Sequence, residues 1–271
     1  MRAIIKPSKS ETKAELFVGI SQGLPLGGPF VMVTVALRKE RKVNYKNQIF
    51  NMDCIAGMTL LPDGCVDMVL TDLPYGMTDC RWDSIIPFEL LWKQLERVTK
   101  PDGAMVFTAS QPFTTKLIGS NQKNFRYCWY WVKNMVTGFP FAKFQPLRCV
   151  EDIVVFYRKK PTYNPQGLVA TEKTIHTKPR AVKDDCVYDQ KTLNKEYETK
   201  YTNWPRQILT FSCQREGLHP TQKPVALFEY LVRTYTNPKQ LVLDCCIGSG
   251  TTAIASVSYT HLRAHETLSD L

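Results

Sequence analysis

From about Asn47 onward, apolar positions follow two alternating rhythms. Short, nearly continuous apolar runs, "CVDMVLT", "AMVFTA", "EDIVVFYRK" and "QLVLD", predict buried strands, and the stretches between them have helical spacing. In "PFELLWKQLERVT" the residues Phe88, Leu91, Leu95 and Val98 share one helical face, as do Leu227, Leu231 and Tyr235 in "KPVALFEYLVRTYT", where Pro224 suits a first turn. "NQIF" predicts a short strand, Asp53 caps a helix beginning near Cys54, and "LPDG" and "KPDG" predict turns into the strands that follow. "QPFTTKLIGS" predicts a further helix. "FRYCWYWVK" predicts an aromatic strand with Tyr127, Trp129 and Trp131 on one face, mostly core, and Tyr130 on the other. Strands alternating with helices in this way predict a doubly wound α/β fold around a mostly parallel sheet.

The rhythm fails in three places. Residues 1–44 show no strand-helix alternation and read as an N-terminal extension. Between Arg158 and Gly217 basic residues outnumber acidic ones, and Pro161, Pro165, Pro179 and Pro205 break any long element, which predicts an inserted, partly irregular module over 158–217. After Ala255 the tail "SVSYTHLRAHETLSDL" abandons the apolar period of the helix it should continue, so residues 256–271 are expected to be foreign to the fold. The tail resembles translated adapter-derived ends of assembled reading frames. The regular part, 45–255, is long enough to bury one substantial core.

Charge narrows the class of partner. A formal net charge of +10 favours a polyanion, with nucleic acid ahead of an acidic membrane surface. Nine scattered cysteines with no C-x-x-C spacing support neither a disulfide framework nor a zinc knuckle, and fit a reducing cytoplasm; no metal site is expected. The most apolar stretch, 16–37, is interrupted by Ser21, Gln22, four glycines and two prolines, which argues against a spanning helix. Glu11 and Glu15 fall where a secretory leader would be basic.

Two stretches carry candidate chemistry. "TDLPYG" places Asp72, Pro74, Tyr75 and Gly76 at the mouth of a buried strand, either as a turn or as a slot for a flat polar ligand. "DCCIGSGTT" closes another strand with Asp244, after which Gly248 and Gly250 let backbone approach a ligand at the carboxyl edge of the sheet. No lysine follows Gly250, which disfavours a P-loop, and Ala253 stands where a dinucleotide fingerprint has its third glycine, a permitted variant. An acid beside a tight glycine turn suits an amine-bearing ligand better than a pyrophosphate.

"TDLPYG", "HPTQKPVALFEYL" and "LDCCIGSGTT", in that order and with a basic insert between the first two, resemble the amino-methyltransferases of DNA. Specifically, they resemble the N6-adenine enzymes, of phage or restriction-modification type, whose D-P-P-Y motif precedes the glycine motif. The resemblance covers roughly residues 46–255. It implies a Rossmann-like sheet that transfers methyl from S-adenosylmethionine directly to adenine in double-stranded DNA after base flipping. Asp72 would accept one hydrogen of the adenine N6 amine and a main-chain carbonyl of the motif the other, so that the nitrogen becomes more tetrahedral and nucleophilic; Tyr75 would stack on the extruded base. Leu73 replaces the usual first proline, and Pro74 and packing are expected to keep the geometry. No Pro-Cys dipeptide occurs, which fits transfer without a covalent intermediate.

By the same resemblance Asp244, Gly248, Ser249 and Gly250 would surround the methionine and ribose of the cofactor, with Thr251 and Thr252 opening the next helix. Asp53 would contact the cofactor's adenine, and His219 and Lys223 would line its pocket; Ser110 and Gln111 are pocket-edge candidates. Lys159, Lys160, Lys178, Arg180, Lys183 and Arg206 of the insert would meet DNA phosphates as a target-recognition region. Trp131 against the flipped base is a minority reading. Family members continue into another strand ending in a ribose-binding acid, and Glu266 is no replacement, so a strand and part of the cofactor floor are expected to be missing. The alternatives are N4-cytosine methylation and a catalytically dead DNA-binding remnant; Asp72 in place of serine points to adenine. Homodimer formation and an endonuclease partner are left open.

Overall fold

The fold is given by a computed structural model that describes residues 16–18, 45–80, 83–177, 197–213 and 222–257. It divides into a larger unit, Met1–Asn164 with Gln207–Leu271, and a smaller one, Pro165–Arg206. The larger unit contains β1 (Leu16–Val18), β2 (Gln48–Ile49), α1 (Cys54–Thr59), β3 (Val66–Asp72), α2 (Phe88–Val98), β4 (Thr99–Ala109), α3 (Phe113–Ser120), β5 (Phe125–Thr137) and β6 (Arg148–Phe156). The smaller unit contributes β7 (Val169–Thr177) and β8 (Tyr197–Thr202); β9 (Ile208–Thr210), α4 (Val225–Tyr235) and β10 (Val242–Asp244) return to the larger one, and residues 251–257 are helical.

Eight strands form one sheet in the order β2-β1-β10-β3-β4-β6-β5-β9. Only β6 runs antiparallel to its neighbours; every other pair is parallel, as the alternation of strands and helices requires. Parallel strands buried on both faces read as continuous apolar runs, and the two faces pack separate cores. Val69, Met105, Phe107, Val154 and Phe156 join Leu91, Leu95, Val98 and Leu117 of α2 and α3. Met68, Leu70, Val106, Ile153 and Val155 join Leu227, Leu231 and Tyr235 of α4. The aromatic strand divides as its alternation predicts: Trp129 and Trp131 are buried in the second core with Tyr127 packed against it, and Tyr130 is exposed.

Three features depart from local reading. "KPDG" lies inside β4, where the register with β3 shifts between Val66 and Met68, so these residues bulge out of a continuing ladder instead of preceding it. Within the irregular insert, β7 and β8 pair antiparallel from Val169↔Thr202 to Thr177↔Tyr197, and His176 faces Glu198 across the hairpin at 3.0 Å. Third, β1 brings residues of the N-terminal extension into the main sheet. It lies between β10 and β2, parallel to both, with Val18 opposite Asp244 on one side and Ile49 on the other.

β10 has β3 on one side and β1 on the other. Residues 258–271, with Glu266, lie outside the described residues.

α4 is tied to the sheet by polar contacts as well as burial. The Tyr235 hydroxyl accepts from the Trp129 indole N–H at 2.7 Å and lies 2.8 Å from the Tyr127 hydroxyl, in a setting where burial pushes its own ionisation far above the ordinary tyrosine range. Tyr235→Phe keeps the ring but leaves a buried indole donor unpaired. It is expected to lower unfolding free energy by about 1–3 kcal/mol in urea titrations followed by tryptophan fluorescence.

Candidate active site at the carboxyl edge of the sheet

β10, β3 and β4 end side by side, and their last residues build the site. Asp72 closes β3 at the point where Thr108 of β4 lies opposite it in the ladder, and the Thr108 hydroxyl donates to Asp72 Oδ1. The same oxygen accepts from the Tyr75 hydroxyl at 2.7 Å, and Oδ2 accepts from Lys223 Nζ at 2.8 Å. Lys223 precedes α4, and its side chain is only 8% exposed. Burial alone would push its ammonium toward the neutral form, but the carboxylates of Asp72 and Glu151 outweigh this and hold it above the ordinary lysine range. Glu151, on β6, lies 3.7 Å from Lys223 through Oε2 and binds Lys133 of β5 at 2.9 Å through Oε1. Four charges therefore alternate across the sheet edge.

The chain beyond Asp72 is folded around a second carboxylate. Asp83 accepts from the backbone N–H groups of Gly76, Met77 and Thr78 at 2.8–2.9 Å and from the Thr78 hydroxyl at 2.8 Å. Although burial pushes its carboxyl up, these donors prevail and hold it below the usual carboxylate range. Gly76 adopts φ +67°, and a Cβ there would come within 2.9 Å of the Ile85 side chain, so this position needs glycine. Leu73 is buried in the first core. The Tyr75 ring stacks on Phe113 with centroids 5.0 Å apart. Burial, then the neighbouring Asp72, push its hydroxyl well above the ordinary range, so it stays a donor.

Asp244 does for the glycine loop what Asp83 does for the first loop. Its Oδ1 accepts from the Thr71 hydroxyl at 2.8 Å and the Cys246 N–H at 2.9 Å, and its Oδ2 from the Thr252 hydroxyl at 2.5 Å. The side chain thus joins β3, the loop and the helix at 251–257. Burial pushes its carboxyl up to about 6 against the pull of these donors. Gly248 and Gly250 take φ of +50° and +82°, and a Cβ at Gly250 would project into open space. The loop presents bare backbone.

Both loops open on one cavity of about 900 Å³. Asp72, Leu73, Pro74 and Tyr75 line one part of it, and Asp244, Cys246, Gly248, Ser249, Thr251 and Thr252 another, with Lys223 and Glu151 between the motifs and Trp131 and Ser110 also on the wall. Among the described residues no group of three His, Cys, Asp or Glu side chains is placed to hold a metal.

Comparison with known proteins bears on what such a cavity serves. The sequence profile of the N6/N4 methyltransferase family, described as DNA methylase, matches residues 66–259. The chain belongs to this family. The Type II methyltransferase M1.MboII of Moraxella bovis is 27% identical over 233 residues, covering 78% of this chain and 87% of that enzyme. The Type II methyltransferase M.BglII of Bacillus subtilis is 27% identical over 242 residues, covering 76% of this chain and 61% of its own length. The cytosine-N4-specific PvuII DNA methyltransferase shares the fold at a TM-score of 0.54 and 15% identity over 77% of each chain. The M1.HpyAVI–SAM complex does so at 0.50 and 22%, covering 79% of this chain and 88% of that one.

In the methyltransferase, the residues singled out from sequence are distributed unevenly. Asp53 caps α1 through the Ala56 N–H at 2.9 Å, and it is its neighbour Cys54 that lines the cavity. Gln111 is exposed and accepts from Thr115 at 2.8 Å. Lys159, Lys160 and Arg206 are exposed; His219, Lys178, Arg180 and Lys183 lie outside the described residues. The Trp131 indole N–H donates to the Phe211 carbonyl at 2.8 Å, which fixes the ring in the wall. Asp83, Glu151, Lys133 and Thr108 were not found from sequence. Asp83 carries one local sign, a carboxylate seven residues after a glycine turn; the others carry none, because strand register alone brings them to the site.

Asp244 gives the loop a pH signature. Its folded-state value is raised from 3.8 to about 6, so the stability it contributes is fully present below about pH 4 and is lost as pH rises through about 6. The stability of the wild type relative to Asp244→Asn is expected to fall by on the order of 3 kcal/mol between pH 4 and pH 7. Urea unfolding of both proteins across that range measures it.

Proposed function

We propose that this methyltransferase transfers methyl from S-adenosylmethionine to the N6 amine of adenine in double-stranded DNA, with the target base flipped into the cavity. The observation that carries the reading is the shared cavity: Asp72 to Tyr75 and the glycine loop face the same space. The residues fit the cofactor. Gly248 brings bare backbone to the cavity wall, the Ser249 and Thr251 hydroxyls lie 3.1 Å apart beside it, and Asp53, which caps α1 next to the wall residue Cys54, is the acid assigned to its adenine. When bound, S-adenosylmethionine supplies an electrophilic methyl whose C–S bond breaks to release a neutral thioether.

The protein's part is to make a poor nucleophile act. An exocyclic amine delocalises its lone pair into the ring, and acceptors placed on its two hydrogens draw it toward a tetrahedral, nucleophilic form. Asp72 is one acceptor and a motif carbonyl the other. Tyr75, held by Phe113 and by its hydrogen bond to Asp72, supplies an aromatic surface for the base. Transfer leaves the nitrogen with one proton to shed, and the Asp72 carboxylate is the acceptor beside it. Lys159, Lys160 and Arg206, with their charges in solvent, are the described members of the set assigned to DNA phosphates.

The test is incubation of the protein with labelled S-adenosylmethionine and unmethylated plasmid DNA, followed by nucleoside analysis and by calorimetric titration of the cofactor. N6-methyladenine is the expected product; N4-methylcytosine would overturn the base assignment, and salt-sensitive DNA binding without cofactor uptake would identify a dead remnant. Asp72→Ala is expected to lower turnover by on the order of 10²–10³-fold while cofactor affinity stays within a few-fold. A variant that keeps most of its turnover removes Asp72 from the mechanism.

A further inference from the structure

Asp72 already has hydrogen-bond partners within the protein. Three of the roughly four acceptor positions of a carboxylate are taken by Tyr75, Thr108 and Lys223. Lys223 Nζ also lies 5.7 Å over the Tyr75 ring. The ammonium therefore sits where the proposed reading brings the amine and the face of the target base. It has to leave Asp72 for that contact to form.

It cannot leave for water, because its side chain is 8% exposed, and a buried cation stripped of its partner is strongly destabilising. It needs a second anion within one side-chain rotation. Glu151 Oε2 meets the requirement: it is buried, 3.7 Å from Nζ, and has no hydrogen-bond partner among the described residues. The other Glu151 oxygen is anchored by Lys133 at 2.9 Å, and both of these side chains are largely buried, so the acceptor is held in place.

We propose that Lys223 is a movable cation that releases Asp72 to the incoming amine by shifting onto Glu151 Oε2, which makes Glu151 a positioning residue for methyl transfer. Lys223 gives up one of its two carboxylate neighbours and closes on the other, and Asp72 exchanges an ammonium for amine hydrogens. No proton or covalent bond is transferred in this step. The inference rests on the reading of Asp72 as the amine acceptor.

The experiment is a double-mutant cycle on the full chain, read as the single-turnover rate of methylation of plasmid DNA, with cofactor and DNA binding measured separately. Glu151→Gln is expected to slow transfer at least about tenfold with both affinities within a few-fold, because Lys223 then has no second carboxylate. In a Lys223→Met background, where no cation holds Asp72, the same substitution should change the rate less than about twofold. An equal loss in both backgrounds, or a wild-type rate in Glu151→Gln while Asp72→Ala is inactive, overturns the shift and leaves the function reading standing. Turnover by Asp72→Ala removes the reading beneath it instead. Should Glu151→Gln not fold, Glu151→Asp takes its place in the cycle; it keeps the charge but shortens the reach, and a loss of about threefold confined to the Lys223 background is expected.

Discussion

The constraint on which the rest of the site depends is the cost of holding charge inside a protein. Asp72 and Lys223 meet at 2.8 Å on the cavity wall, the lysine buried and the aspartate about a quarter exposed, and Lys223 would be unstable there without a carboxylate partner. Their pairing draws four pieces of chain to one spot: the end of β3, the end of β4 through Thr108, the β5–β6 pair through Lys133 and Glu151, and the segment leading into α4. Apolar packing on the two faces of the sheet sets the distances between these pieces. The alternating charges then decide how they close, since a shift of one strand by one residue would turn Asp72 or Glu151 toward a core.

Two further carboxylates perform a quieter task of the same kind. Asp83 gathers the donors of the loop after Asp72, and Asp244 gathers those of the glycine loop. Asp83 satisfies three backbone N–H groups that a tight turn would leave without partners, and Asp244 satisfies one, together with the hydroxyls of Thr71 and Thr252. Asp244, which the resemblance assigns to the cofactor, lines the cavity and through its three hydrogen bonds also builds the loop beside it.

The sheet edge shows the same dependence on distant partners. β10 carries the glycine loop and needs a neighbour on the side away from β3; residues 16–18 supply it and in turn pair with β2, the strand that leads into Asp53 and α1. The first and last parts of the described chain thereby share one ladder. Membership in the DNA methylase family rests on residues 66–259, and β1 lies outside that span.

Much of this was legible from residue order. Apolar runs of strand length, the helical spacing of Leu91, Leu95 and Val98, and the alternation of Trp129 and Tyr130 are local patterns, and a parallel sheet with helices on both faces is the arrangement that buries them. The two motifs announced themselves because an acid and glycines at a strand end are unusual within a few residues. Sequence could not announce the partnership of Lys223 with Asp72, 151 residues apart, or of Glu151 with both lysines, because nothing local distinguishes those side chains from solvated ones. It gave no sign of β1 or of the β7–β8 hairpin, whose strands are short or polar and stabilised by pairing across the fold. Residue order by itself determined which segments are strands and helices and which carry the motifs, since those follow from periods of two and 3.6 residues. Which charges meet, and which strand borders β10, were decided only by the tertiary structure, because strand order and register bring together groups that no local period relates.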